Sequence, residues 1–203
     1  MKGSEKGNKF FDIRNKSLAG ASGVSKKVSP NYTSKYLLGH YQKLEKLDQD
    51  LGRLPEREEF FFLQTDGAFN AFTFIPFVCR NMNVKELFAS TYSISRRTIE
   101  AMVELHDAGV VEKITLLISD SMQKRNPVTM DLLHGLARER ANIEVKYAWV
   151  HAKVCLLNTI AGKYVIEGSG NWSENAHYEQ YVFANCEGLY QFRKELFTNI
   201  NFK

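Results

Sequence analysis

The sequence has no apolar run long enough to cross a bilayer; its longest apolar stretches, such as Ala71–Cys79, are interrupted and short, which excludes a membrane span. The N-terminus is rich in Lys and Gly without the apolar centre of a signal peptide, so no secretory leader is expected. Cysteine is scarce. Cys79, Cys155 and Cys186 are odd in number and form no CxxC pair, which argues against a disulfide framework and for reduced thiols in the cytoplasm. Four prolines and 13 glycines exclude collagen-like or proline-rich low complexity. No repeat recurs at a period of 20–50 residues. Gly67 belongs to no GxxxxGK loop, so nothing supports a nucleotide-triphosphate site.

What is present is ordinary globular protein. Hydrophobic residues make up 44% of the 203 and charged residues 25%, enough to bury the core of one domain with an appendage. The net charge of +4 is unevenly spread: residues 1–54 hold 11 Lys/Arg against 5 Asp/Glu, and the remainder holds 16 against 18. Residues 1–31, rich in Lys, Gly, Ser and Asn, read as a flexible basic arm that either touches a polyanion or serves as a solubilising tail. Residues 32–56 read as an N-terminal helix, with Tyr36, Leu37, His40, Tyr41, Leu44 and Leu47 at helical spacing.

From residue 57 onward the pattern alternates. Strands are predicted at Phe60–Gln64, Leu87–Ile94, Ile114–Ile118 and Ile143–Val150, and helices at Ala68–Met82 (weakened by Pro76), Arg96–Ala108 (capped by Ser95, ended by Gly109) and Pro127–Arg140. This is an α/β fold with a mixed, mostly parallel sheet and helices on both faces. The last third brings closely spaced strands at His151–Leu157, Lys163–Glu167 and Tyr181–Ala184, then a helix over Leu189–Phe197.

The segment that carries chemistry is His151-Ala-Lys153-Val-Cys-Leu-Leu-Asn158, followed by Gly168-Ser169-Gly170-Asn171 and Glu179. On a strand, His151 and Lys153 would share one face, and an imidazole beside an ammonium does not belong in a dry core. Gly168, Ser169, Gly170 and Asn171 offer close backbone approach, a hydroxyl and an amide to phosphate oxygens. Taken singly, each has a plainer reading: a surface histidine, a solvated lysine, a turn. Trp149 and Trp172 flank the motif and read as core, with a rim for base stacking as the alternative. His40, His106 and His134 lack metal-ligand spacing and read as surface or cap positions.

In register, these residues resemble the phospholipase D superfamily, whose signature is HxKxxxxD, then Gly-Ser, then Asn two residues after the Ser. The resemblance covers roughly residues 58–203 and defines a phospholipase D-like phosphodiesterase domain over 57–203. It implies His151 as the nucleophile forming a phosphohistidine. It further implies Lys153 and Asn171 as stabilisers of the phosphate oxygens, Gly168, Ser169 and Gly170 as substrate-binding positions, and Glu179 as the residue that orients His151. No metal or other cofactor is implied. One position departs: the signature's Asp is Asn158, a supporting position that keeps hydrogen bonding and loses charge.

The family's site uses two HxK motifs and this chain has one, since no other histidine is followed two residues later by Lys. The resemblance therefore implies a homodimer with the site on its axis. The expected activity is a metal-independent phosphodiesterase, a nuclease on nucleic acid. The alternatives are a phospholipase or phosphatidyl-transfer enzyme, disfavoured by the absence of an interfacial amphipathic helix, and a catalytically weak nucleic-acid-binding module, for which Asn158 is the main support.

Overall fold

Strands and helices alternate along the part of the chain that this computed structural model describes, residues 41–67, 70–173 and 177–199. The basic arm and the first part of the N-terminal helix expected from the sequence lie outside it.

The middle of the chain follows the sequence pattern. β3 (Val84–Thr91), β4 (Ile114–Ser119) and β5 (Ile143–Ala148) are parallel neighbours, connected by α3 (Arg96–Asp107) and α5 (Pro127–Arg138). Ser95 caps α3 by accepting from the Thr98 N–H at 3.2 Å, and Gly109 follows the helix at φ 70°, where a side chain would be strained. Asn126 caps α5, with Pro127 at its first position, where a missing N–H costs nothing. Every residue of β4 is buried, as the unbroken apolar run requires of a strand covered on both faces. A short helix between them, α4 (Ser121–Arg125), is not apparent in the sequence pattern.

Two expectations change at the N-terminal side. The helix predicted over Ala68–Met82 shrinks to a 3-10 turn at Ala71–Thr73 and α2 (Phe74–Cys79), with Pro76 in the first turn of α2, where its lack of an N–H is harmless. The helix predicted over 32–56 is, in its described part, a strand β1 (Tyr41–Leu44) and a single turn α1 (Leu47–Asp50). β1 pairs in parallel with β2 (Glu59–Thr65), Tyr41 opposite Phe62 and Leu44 opposite Thr65. Four residues are too few for period to tell a strand from a helix, and an open sheet edge decides it.

The last strands, β6 (Val154–Thr159), β7 (Lys163–Gly168) and β8 (Gln180–Asn185), precede α6 (Glu187–Thr198). The sheet order is β1-β2-β8-β7-β6-β3-β4-β5. The sheet is mixed, as expected, but not mostly parallel: β1–β2, β3–β4 and β4–β5 are parallel, whereas β2–β8, β8–β7, β7–β6 and β6–β3 are antiparallel. The cause is connection length. Only Ile160–Gly162 separate β6 from β7, enough for a hairpin and far too few for a parallel crossover.

Side-chain alternation divides the core in two. Leu87, Ala89, Leu116, Ile118, Cys155 and Leu157 pack with α2, α3 and α5, while Phe88, Leu117, Val154, Leu156 and Val165 pack with Tyr190 and Phe197 of α6. Helices therefore cover both faces. Cys155 lies in this core, and burial pushes its thiol up to about 12. No described helix is long and apolar enough to cross a membrane.

Candidate active site

One end of the sheet gathers the site. β3, β4, β5, β2 and β7 finish there, and β6 and β8 begin there. The geometry of one linker explains how His151 reaches it. β5 ends at Ala148 and β6 starts at Val154, but β4 and β3 lie between those strands. Three strand spacings amount to about 14 Å, and the residues available reach about 20 Å fully extended. The segment must therefore cross the ends of β4 and β3 in a largely extended form, without room for a helix or a long loop. It is fastened on the way: the Asp120 N–H donates to the Ala148 carbonyl at 2.9 Å, and Ser90 Oγ donates to the Ala152 carbonyl at 2.8 Å. His151 and Lys153 thus precede β6 rather than lying within it as the sequence reading had them.

His151 is exposed, with its ring centre 4.7 Å from that of Tyr92. Lys153 is only 9% exposed, and its Nζ lies 2.9 Å from His151 Nδ1 and 2.9 Å from the His151 carbonyl oxygen. An ammonium can only donate, so in this contact the ring nitrogen that faces it is the acceptor. Burial lowers the Lys153 pKa, and the Glu179 charge works in the opposite direction.

The second element is the end of β7. Gly168 is obligatory there: a Cβ would stand 2.1 Å from the Gln180 carbonyl oxygen and 2.7 Å from Tyr181 Cδ1. That close approach lets the Gly168 N–H reach the Lys153 carbonyl at 3.3 Å and the Ser169 N–H reach the Gln180 carbonyl at 3.0 Å. Ser169 Oγ donates to the Glu179 carboxylate and accepts from the Gln180 N–H at 3.0 Å. Glu179 is held in turn by Thr65, whose N–H donates to the Glu179 carbonyl at 2.8 Å and whose Oγ1 accepts from the Glu179 N–H at 2.8 Å. Gly170 is buried and Asn171 half-buried; both precede Trp172, which is fully buried against Phe72. The Trp172 N–H donates to the Ser93 carbonyl at 3.1 Å, pinning the Asn171 segment to the loop after β3, at the His151 end of the sheet.

His151, Lys153, Gly168, Ser169, Gly170, Asn171 and Glu179 therefore share one end of the sheet, but two expected roles change. Glu179 does not orient His151: its side-chain partner is Ser169, and the His151 ring is met by Lys153 and Tyr92. Asn158 is not in the site. It sits near the far end of β6, about 16 Å of strand from Lys153, where it accepts from Lys163 Nζ at 2.5 Å and donates to Glu86 Oε2 at 3.4 Å. The two tryptophans also divide, since Trp172 is core and Trp149 is 86% exposed.

Lys153, Gly168, Ser169 and Glu179 border an open cleft of about 1220 Å³, continued by Phe62, Tyr178, Val182 and Arg193. Tyr92 was missed by the sequence reading, because only the sheet order places the loop after β3 beside the HxK segment. Among the described residues, no three His, Cys, Asp or Glu side chains stand together as metal ligands.

A family described as the PLD-like domain of cardiolipin synthase matches residues 81–191, more than half of the chain. No curated protein matches it. Among solved structures, an archaeal chromatin protein with a novel mode of DNA binding aligns at 14% identity and a TM-score of 0.46, covering 69% of this chain and 50% of its own. Polyphosphate kinase from Porphyromonas gingivalis aligns at 12% identity and a TM-score of 0.54, covering 70% of this chain and 26% of its own. The chain thus spans half the length of the first and about a quarter of the second, and its likeness to the kinase is one of fold.

Proposed function

The chain belongs to the phospholipase D-like family, and from that premise we propose that it is a phosphodiesterase acting on nucleic acid through His151. The observation that supports this most is the exposed imidazole beside a nearly buried Lys153, with Ser169 and the Asn171 segment at the same end of the sheet.

Lys153 Nζ is hydrogen-bonded to the His151 ring. A phosphate oxygen is a stronger acceptor for that ammonium. Substrate would therefore draw Lys153 onto a non-bridging oxygen and release the ring nitrogen's lone pair. That nitrogen attacks phosphorus; the bond from phosphorus to the leaving oxygen breaks, and the leaving oxygen takes a proton from a general acid. In a homodimer that acid is the partner subunit's His151, which the single HxK motif requires. Water then attacks the phosphohistidine, the N–P bond breaks, and the same acid, now a base, takes the water proton. Lys153 and Asn171 stabilise charge on the oxygens, and Ser169 joins them by turning its hydroxyl from Glu179 to the substrate. Until then Ser169 donates to Glu179, so Glu179 holds the hydroxyl rather than the imidazole.

The binding-only alternative drew on Asn158, and that residue stands at the other end of β6 among Lys163 and Glu86. The test is hydrolysis of bis(p-nitrophenyl) phosphate and of oligonucleotides in EDTA. Wild-type protein is expected to turn over both and His151→Ala neither, with light scattering reporting a dimer. Full activity in His151→Ala, or activity in a strictly monomeric protein, would overturn the mechanism.

A further inference from the structure

The site end of the sheet carries two side chains that the mechanism does not use. Arg125, the last residue of α4, is exposed and lays its guanidinium carbon 4.3 Å from the Tyr92 ring centre. Its Nη2 donates to the Tyr92 carbonyl at 3.2 Å and its Nε to Ser121 Oγ at 3.3 Å. The same Tyr92 ring lies 4.7 Å from His151. These two distances, 4.3 Å and 4.7 Å, bound the guanidinium carbon to within 9 Å of the imidazole centre. Among the described residues Arg125 pairs with no carboxylate, unlike Arg53, Arg80, Arg96, Arg140 and Arg193. It is a pre-positioned cation with donors to spare.

Trp149, two residues before His151, exposes 86% of its surface. It leaves the end of β5 as α4 leaves the end of β4, and the Asp120–Ala148 hydrogen bond ties those ends together at 2.9 Å. An indole that exposed has no packing role. A fixed guanidinium recognises phosphate, and an open indole face stacks any base that is out of a duplex.

We infer that Arg125 and Trp149 form a subsite for an unpaired nucleotide next to the scissile phosphate, Arg125 holding the adjacent phosphate and Trp149 the base. The inference rests on the phosphodiesterase reading and narrows its substrate to single-stranded nucleic acid. A duplex keeps its bases in the stack, and a phospholipid has no π face for the indole.

The test is fluorescence anisotropy with a phosphorothioate single strand and with the same strand in duplex, comparing wild type with Trp149→Ala, Trp149→Phe and Arg125→Ala. Trp149→Ala should weaken single-strand binding by about tenfold or more, with a much smaller effect on duplex, and Trp149→Phe should restore most of it. Arg125→Ala should flatten the salt dependence by about 0.7 in log–log slope. It should also cost at least about tenfold more in kcat/KM on an oligonucleotide than on bis(p-nitrophenyl) phosphate. Equal losses on duplex and single strand, an unchanged salt slope, or dissociation of the oligomer by Trp149→Ala would overturn the subsite. So would Trp149-dependent hydrolysis of phospholipid micelles without oligonucleotide binding. A wild type that shows these binding dependences but hydrolyses no diester would sink the phosphodiesterase reading and leave the subsite standing.

Discussion

Gly168→Ala tests the joint between sheet and site. The added Cβ would stand 2.1 Å from the Gln180 carbonyl oxygen, 2.7 Å from Tyr181 Cδ1 and 3.1 Å from the Gln180 carbonyl carbon. Two of those atoms are backbone, so no rotamer change relieves the contact; the ends of β7 and β8 must separate. Separation breaks the hydrogen bond from the Ser169 N–H to the Gln180 carbonyl and strains that from Gly168 to Lys153. Overpacking costs about 1–3 kcal/mol and a lost backbone hydrogen bond about 1 kcal/mol, so about 2–4 kcal/mol in all. For a chain of this size that lowers the melting temperature by roughly 4–15 °C. Activity should fall further than stability, because Ser169, Glu179 and the Lys153 carbonyl all move with the joint. Gly135→Ala is the control: Gly135 lies within α5 with nothing within 4 Å of its added Cβ. There the same substitution should stabilise by about 0.5–1 kcal/mol through helix propensity. Calorimetry on both variants decides it. A Gly168→Ala melting temperature within about 2 °C of wild type would refute the steric reasoning.

Two further outcomes follow from side chains away from the cleft. Asn158→Asp restores the family's carboxylate among Lys163 and Glu86, at the far end of β6, so turnover on bis(p-nitrophenyl) phosphate should stay within about twofold, under half a kcal/mol; a large gain would mean that the position speaks to the site. Asp107 is held well below the usual carboxylate range, chiefly by its hydrogen bonds from Arg140 and then by His106. A depressed folded-state pKa contributes stability that is present above the unfolded value, about 4, and is lost as pH falls toward the folded one. The gap in melting temperature between wild type and Asp107→Asn should therefore be widest near neutrality and close below pH of about 4; a gap that widens on acidification would contradict it.

What the sequence disclosed divides by the range of the interaction that decides each element. β4 and α3 were legible because their signals are local: an unbroken Ile-Thr-Leu-Leu-Ile run, a Ser cap, a Gly stop. β1 was not, since Tyr41–Leu44 is too short to declare a period and is fixed by pairing with β2. The direction of β6 to β8 lay in the lengths of their connections rather than in the strands, so the apolar runs read alike whichever way they pointed. The site shows the same division. HxK and Gly-Ser-x-Asn are local strings and could be read off. The partners they find are decided by sheet order: Glu179 on Ser169, Tyr92 on His151, Arg125 on Tyr92. Asn158 was assigned a supporting role because it stands where the family signature has Asp, and the length of β6 places it away from Lys153. Trp149 and Trp172 are equal in composition, yet one follows a strand end into solvent and the other is drawn into the core beside Phe72.

The linker between β5 and β6 joins these two ranges. Its shortness is a local fact of the sequence, and the two strands it must pass are a fact of topology. Together they force an extended crossing over the end of the sheet. Trp149 and His151 are exposed, while Val150 and Lys153 are buried and Ala152 is half-buried. The family's HxK spacing is thus fitted to a taut strap: one residue separates the imidazole, which must face the substrate, from the lysine, which must reach back beneath it. A longer linker would slacken the crossing and lose the contact between Lys153 Nζ and His151 Nδ1 before it disturbed any strand.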